Sequence, residues 1–393
     1  MSPMSLQPGP ETAALLAAGL PTPFVVVDLD VVGDRYRSLA AALPGVAVHY
    51  AVKANPDPAV LVRLVSEGSS FDVASWGEIE QCLDAGAAPS SISFGNTVKR
   101  RDVVARAHEV GIRQFAFDSR AELEKLAAAA PGSVAVCRIR CDGAGAAWPL
   151  SNKFGCAADE AVDLLRAAAA AGLELGLSFH VGSQQCDPGA WGPALADVAM
   201  VVEKLETDGL DLSVLNLGGG FGASYVDSEA PDASTYGRSI RRELERWLGG
   251  AVPPALVAEP GRYLVADAGV IQSEVLLVSR RGGGAGRWVY LDVGVFTGLF
   301  EAVGEAIRHR VRTPRDGGPS EPAVLAGPTC DSVDVLAEAH RVDLPLALAE
   351  GDRVELLGAG AYTTTYSTVG FNGFAPLASH TVGSPTSPSS SAA

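Results

Sequence analysis

VAVHYAVKANPDPAVLVRLVSEGSSFDVAS, residues 46–75, reads as one strand, one helix and a second strand. The first β-type run is VAVHYAVKA (46–54) and the second is FDVAS (71–75). Between them, DPAVLVRLVSEG brings Val60, Leu61, Leu64 and Val65 to one helical face. The pattern then repeats. ISFGN (92–96), QFAFDS (114–119), VAVCRIRC (134–141), LGLSFHVG (175–182), VLNLGGG (214–220) and ALVAEPG (255–261) are further β-type runs. They are continuous apolar runs, as parallel strands buried on both faces are. Helical patterns lie between them. SRAELEKLAAAA opens with Ser119 and Glu122 at capping-box spacing. Segment 157–171 is rich in Ala and Leu and ends at Gly172. Eight strand-then-helix units over about 215 residues predict an α/β fold, a (β/α)8 TIM-like barrel.

After about residue 266 the alternation stops. VIQSEVLLVSRR, RWVYLDVG, AVLAG and DRVELLGAG read as strands separated by Gly/Pro turns, which predicts a C-terminal β-barrel or β-sandwich domain. TPFVVVDLD (22–30) is a ninth β-type run ahead of the barrel and a candidate partner for the C-terminal strands. The expected organisation is an N-terminal extension (1–20), a lead-in strand segment (21–45), the barrel (46–265), the β domain (266–378) and a tail (379–393). The tail, SHTVGSPTSPSSSAA, is rich in Ser, Pro and Gly and is expected to be disordered.

The chain has 393 residues, enough for a barrel of roughly 250 residues and a second domain. Its 30 Lys and Arg against 46 Asp and Glu give a net charge of −16, which argues against a nucleic-acid partner. The six cysteines, at 82, 137, 141, 156, 186 and 330, form no CxxC pair or zinc-site spacing, so no metal is expected. They fit a reducing cytosol. The N-terminal stretch lacks the regions of a signal peptide, and no apolar run reaches the ~20 residues of a membrane helix. A cytoplasmic protein with no membrane partner is expected.

In such a barrel, chemistry sits at the C-terminal ends of the strands. Lys53 closes the first run after mostly apolar residues. A desolvated lysine there has a lowered pKa and reacts with carbonyls, although a surface lysine after a strand is the plainer alternative. His180 ends the sixth run and is a general base, a stacking plane or a core histidine. Gly218, Gly219 and Gly220 end the seventh, where backbone N–H groups can cradle a phosphate. The eighth ends in Glu259, Pro260, Gly261 and Arg262: a carboxylate suited to a heterocycle nitrogen and a guanidinium suited to a phosphate, or a surface ion pair at a turn. Lysine, phosphate cradle, arginine and carboxylate together are the inventory for pyridoxal phosphate.

These residues also carry a resemblance. YAVKAN (50–55), FDVAS (71–75), KFG (153–155), SFHVGS (178–183), GGGFG (218–222), EPGR (259–262), GPTCD (327–331), GAYT (360–363) and FNGF (371–374) follow, in order, the pattern of the fold-type III pyridoxal-phosphate decarboxylases. The resemblance spans residues 20 to 378 and is nearest to bacterial ornithine-type members. It implies pyridoxal 5'-phosphate as cofactor. Lys53 resembles the lysine that carries it, Glu259 the carboxylate that keeps its ring nitrogen protonated, and His180 the imidazole that stacks on its ring. Ser183, Gly219, Gly220, Gly261, Arg262 and Tyr362 match cofactor contacts, mostly to the phosphate. Asp72 and Arg138 match a charged pair near the lysine. Glu78 is nearby, but it also has capping-box spacing from Ser75. Cys330 resembles the acid that returns a proton to carbon. In the family it comes from a second subunit, which implies a head-to-tail homodimer with shared sites.

For the substrate, the resemblance gives Asp331 as partner of a distal ammonium, Glu305 as a second acidic ligand and Phe371 as a tunnel wall. Gly304 and Thr297 depart from the pattern at positions that shape the distal pocket. The expected reaction is L-ornithine to putrescine and CO2, with L-lysine as a second substrate. The alternatives are diaminopimelate decarboxylation, a modified amino acid from a specialised pathway, and an inactive regulatory homologue.

Overall fold

The computed structural model describes residues 8–150, 153–283 and 286–386. The chain divides into two compact units. One comprises Gly33–Gly222 and Ala230–Gly261. The other comprises the residues up to Val32 with Ala223–Glu229 and Arg262–Ser384.

The first unit is a closed barrel of eight parallel strands: Val46–Ala51, Ser70–Val73, Ile92–Phe94, Gln114–Phe117, Val134–Arg138, Glu174–Ser178, Val214–Asn216 and Ala255–Ala258. Each starts within one residue of one of the eight runs read from the sequence and ends two to four residues before that run does. The last strand closes on the first, with Leu256 opposite Val46 and Ala258 opposite Val48. Local chemistry starts the helices. Pro58 opens Pro58–Ser66, where the Asp57 side chain accepts from Ala59 N at 2.9 Å. Ser119 Oγ accepts from Glu122 N at 3.4 Å at the start of Arg120–Ala129, as the spacing predicts. Val60, Leu61 and Leu64 are fully buried, which stabilises by roughly 1.5–3 kcal/mol each for the larger side chains. Val65 is only partly buried. Arg63 is instead enclosed, with its Nε 3.0 Å from Glu67. A buried charge persists because it is paired.

The second unit is an eight-stranded sheet. Its long strand Gly269–Arg281 pairs first with Arg353–Leu357 and, from Val275 onward, with Gly286–Leu291, the register shifting between Val275 and Leu277. The early run contributes Phe24–Asp28, antiparallel to the start of that long strand, with Phe24 opposite Gln272. Phe24 and Val26 pack with Leu16 and Val270 in a buried cluster. The expectation of disorder from Ser379 needs correction. Ala378–Val382 is a strand, parallel to Phe24–Asp28, and His380 packs edge-on against Phe24 at 5.4 Å. Strand pairing uses backbone groups, so a polar composition does not forbid it. The tail beyond Thr386 lies outside the described residues.

Candidate active site

At the barrel mouth the first strand turns into a short 3-10 turn, Val52–Ala54, which carries Lys53. Its neighbours Val52 and Ala54 are buried while Lys53 is half-exposed. Lys53 Nζ stands 3.5 Å from Asp72 Oδ2, at the end of the second strand. Burial raises the pKa of Asp72, and the charges of Lys53 and Arg138 work against that rise. Glu78 is a cap: its Oε2 accepts from Ala74 N at 2.6 Å, and Ser75 Oγ accepts from Glu78 N at 3.3 Å.

Arg138 ends the fifth strand, and its guanidinium lies 5.7 Å from the Phe154 ring centre. His180 follows the sixth. Its Nδ1 accepts from Gly182 N at 3.0 Å, which leaves the proton on Nε2. Burial, reinforced by the charges of Arg138 and Lys53, holds its pKa well below the usual value. The imidazole is therefore a neutral plane. Ser183 lies on a small antiparallel ribbon, opposite Trp148.

Asn216 ends the seventh strand and organises the glycine turn after it. Its Oδ1 accepts from Gly218 N at 2.8 Å, and its Nδ2 donates to Glu259 Oε1 at 2.5 Å. The glycines are required by close approach. A Cβ at Gly219 would stand 2.4 Å from Glu259 O and 3.1 Å from His180 Nε2. Gly220 has φ +105, and a Cβ there would meet Gly182 O at 2.5 Å. Burial first, then the charge of Asp72, pushes the Glu259 carboxyl up to about 7. A carboxylate in such surroundings calls for a cationic partner. Glu259 would suit a protonated ring nitrogen, the glycine turn a phosphate and Lys53 a carbonyl carbon. These residues fit pyridoxal phosphate. A cavity lined by Arg138, His180, Asn216 and Glu259 lies within the same unit.

The other residues singled out by motif belong to the β unit. Arg262 follows Gly261 and is buried, and its fork is already engaged. Its terminal nitrogens donate to Glu301 Oε2 and Oε1, each at 2.7 Å, and one also to Tyr225 Oη at 3.1 Å. The fork expected to face a phosphate is held here by a carboxylate, with the bidentate geometry that suits either anion. Tyr362, in the left-handed region at φ +56, has its ring 4.9 Å from the Arg262 guanidinium. Cys330 is exposed on the loop after Ser320–Ala326, and Asn372 Oδ1 accepts from its N at 3.1 Å and its Sγ at 3.4 Å. Asp331 accepts from Val333 N at 2.9 Å. Asp334 ties this loop down: its buried carboxylate accepts from Val295 N at 2.7 Å and from Thr329 N at 2.9 Å. Phe371 stacks on Phe296 at 4.4 Å. Thr297 is buried in a turn, where its Oγ1 accepts from Gly294 N at 2.7 Å.

Glu305, expected as a second acidic ligand, is held by donors from its own chain. Its Oε1 accepts from Glu338 N and Ala339 N, both at 2.7 Å, and its Oε2 from His340 N at 3.1 Å and His340 Nδ1 at 2.7 Å. Burial alone would raise its pKa, but these donors win and lower it. In this structure the carboxylate braces the strand Val335–Pro345.

Asn216, Glu301, Asp334 and Asn372 were not singled out from the sequence. Asn216 carried a legible signal, a polar residue ending an apolar strand two places before glycines, which is an Asx-turn pattern. Asn372 stood inside the FNGF motif without a role. The bonds from Arg262 to Glu301 and from Val295 N to Asp334 each span 39 residues and left no local trace.

Comparison with known proteins agrees with this geometry. The profile described as "Pyridoxal-dependent decarboxylase, pyridoxal binding domain" matches residues 29–266. The lysine/ornithine decarboxylase of Selenomonas ruminantium is 35% identical over 91% of this chain and 89% of its own length. The diaminopimelate decarboxylase of Pseudomonas aeruginosa is 36% identical over 89% of this chain and 86% of its own. Among solved structures, the lysine/ornithine decarboxylase of Vibrio vulnificus complexed with cadaverine superposes with a TM-score of 0.84 at 32% identity, covering 95% of this chain and 99% of that one. From its motifs, its barrel and these relatives, the chain belongs to the pyridoxal-dependent decarboxylases, and it is a carboxy-lyase that uses pyridoxal phosphate.

Proposed function

We propose that this enzyme decarboxylates a basic L-amino acid, L-ornithine first, to putrescine and CO2, with L-lysine as a second substrate giving cadaverine. The observation that carries this reading is the Cys330–Asp331 pair, exposed on a loop that the buried Asp334 holds in place. A thiol and a carboxylate side by side suit a proton donor next to a partner for a distal ammonium. The relative named lysine/ornithine decarboxylase supports the substrate class.

Bound pyridoxal phosphate supplies an electron sink for the pair left behind when CO2 departs. In the proposed roles, Lys53 would hold the cofactor, with Asp72 and Arg138 setting the charge around Nζ. Glu259, steadied by Asn216, keeps a proton at the ring nitrogen. His180, neutral, presents a flat face that excludes water. Gly219, Gly220, Gly261 and Ser183 contact the cofactor, chiefly its phosphate. Arg262 and Tyr362 join them, Arg262 while keeping its grip on Glu301. Cys330 Sγ delivers a proton to Cα. Asp331 takes the distal ammonium, and Phe371, on its Phe296 platform, walls the tunnel. A homodimer with shared sites and a cytoplasmic location complete the proposal. Among the described residues no helix is long and apolar enough to cross a membrane.

One observation favours a second reading. With Glu305 withdrawn, the distal recognition rests on Asp331, and the open backbone at Gly304, where a Cβ would meet nothing within 4 Å, leaves room for a larger substrate. Diaminopimelate or a modified amino acid is that alternative. The test is a competition assay with equal L-ornithine, L-lysine, L-arginine and meso-diaminopimelate, with products identified by mass spectrometry. Putrescine as main product is expected. Lysine formed from diaminopimelate as the sole product would overturn the ornithine reading and favour the second.

A further inference from the structure

We propose that the β unit carries a separate binding site for a small monocarboxylic acid with an apolar body and one hydrogen-bond donor. The site is a cavity of about 220 Å³ within that unit. Ile307, Leu325, Leu336 and Leu356 form apolar walls and are buried. Close-packed interiors hold few voids larger than a water molecule, and an apolar cavity of about 150 Å³ already admits benzene. A void of this size is the shape of a ligand site, not of a packing defect.

Two polar side chains give it selectivity. His309 lines the cavity, and its Nδ1 lies 3.1 Å from Leu357 O. A carbonyl only accepts, so Nδ1 carries the proton and Nε2 is an acceptor. No partner for Nε2 is found among the described residues. Burial keeps the ring neutral, with a pKa of about 4, so this acceptor persists at physiological pH. The occupant must therefore bring a donor. Arg341 also lines the cavity, on the exposed face of Val335–Pro345, and no hydrogen bond or ion pair engages it among the described residues. The other lining guanidinium, that of Arg308, is committed to Asp227 and to His340 O. Arg341 is thus the cation left to take an anion, and a carboxylate matches its fork. Asp343 shares the lining and disfavours a second negative charge. The ligand is then a monocarboxylate whose apolar body fills the aliphatic walls and whose hydroxyl reaches His309. A hydroxyaryl-alkanoic acid has this pattern. None of these residues has a part in the decarboxylation proposed above.

The test uses the full-length holoenzyme and calorimetric titration with 3-(4-hydroxyphenyl)propanoate. One saturable site is expected. 3-Phenylpropanoate, which lacks the donor, and tyramine, which lacks the carboxylate, should each bind roughly tenfold more weakly, about the worth of one strong polar contact. Arg341→Ala, an exposed change that leaves the fold intact, should weaken the probe about tenfold while decarboxylation without the probe is unchanged. Ala337→Phe, which fills the cavity, should abolish binding, with its melting curve checking that it folds. No saturable binding at millimolar probe, equal binding by Arg341→Ala, or displacement of the probe by the enzyme's own amino-acid substrate would each overturn the proposal.

Discussion

Glu259 at the barrel mouth and Glu305 in the β unit are both carboxylates picked out by motif, and their surroundings differ in one respect. Glu259 has a single short side-chain donor, Asn216, and burial pushes its pKa up to about 7. Glu305 receives four donors from Glu338, Ala339 and His340, and its pKa is lowered. The first is an under-satisfied acceptor held where a cation would relieve it. The second is already satisfied by its own chain. A buried carboxylate with few donors is costly to a fold, and this unit tolerates one where a ligand can complete it. A carboxylate whose acceptor capacity is filled by backbone N–H groups has little left to offer a substrate.

The largest effect expected is at Lys53. Lys53→Ala should lower turnover by at least roughly a thousandfold, because covalent capture of the cofactor is lost. It should also remove the visible absorbance that marks the cofactor's bond to the protein. Wild-type turnover by this variant would break the view that the barrel mouth is the centre of the chemistry.

Glu259→Gln should follow, with activity down roughly a hundredfold or more while the cofactor still binds. This variant also tests the comparison through folding. In cofactor-free protein, the folded Glu259 holds its proton up to about pH 7, whereas the unfolded chain releases it near the ordinary 4.5. The folded state therefore binds more protons between these values. The contribution is fully present below pH 4.5 and is lost as pH rises through 7, on the order of 3 kcal/mol. Chemical denaturation of the cofactor-free protein at pH 5 and pH 8 should show this loss. Glu259→Gln should reduce it, and an unchanged pH slope in that variant would mean that the carboxylate is not as starved of partners as its position indicates.

Cys330→Ala should lower the rate of amine formation by about ten- to a hundredfold with cofactor binding intact, since it removes one positioned proton donor. Product analysis by mass spectrometry checks both the rate and the fidelity of proton return.

What could be read in advance divides along the same line as the two carboxylates. The barrel was legible because each strand announces itself locally, as an apolar run ending in a marked residue: Lys53, His180, the glycines and Glu259. The strand Ala378–Val382 was not legible, because its partner Phe24–Asp28 lies at the other end of the chain and its own composition is that of a linker. The same holds for side chains. Lys53 and Glu259 sit at positions fixed by the strand that carries them. The fate of Arg262 was decided by Glu301, 39 residues away, and that of Glu305 by backbone 33 to 35 residues away. Motif spacing contains residue types but not the donors that other segments bring to them.

Glu305 therefore offers the smallest catalytic effect and the sharpest test of the comparison. Glu305→Ala removes the acceptor for three backbone N–H groups and the His340 ring, so stability should fall by about 1–3 kcal/mol, read as a lower denaturation midpoint. Because its folded pKa is lowered, the stability it contributes is present above the ordinary carboxylate range and is lost as pH falls through the folded value. The wild type should thus lose part of its advantage over the variant on acidification. A brace of this kind leaves selectivity alone. The ratio of kcat/KM for L-ornithine to that for L-lysine should stay within about threefold of wild type, since only a group touching the distal amine changes that ratio strongly. A tenfold change in the ratio with little loss of stability would reverse the assignment, returning Glu305 to the substrate and leaving the strand Val335–Pro345 to be held by something else.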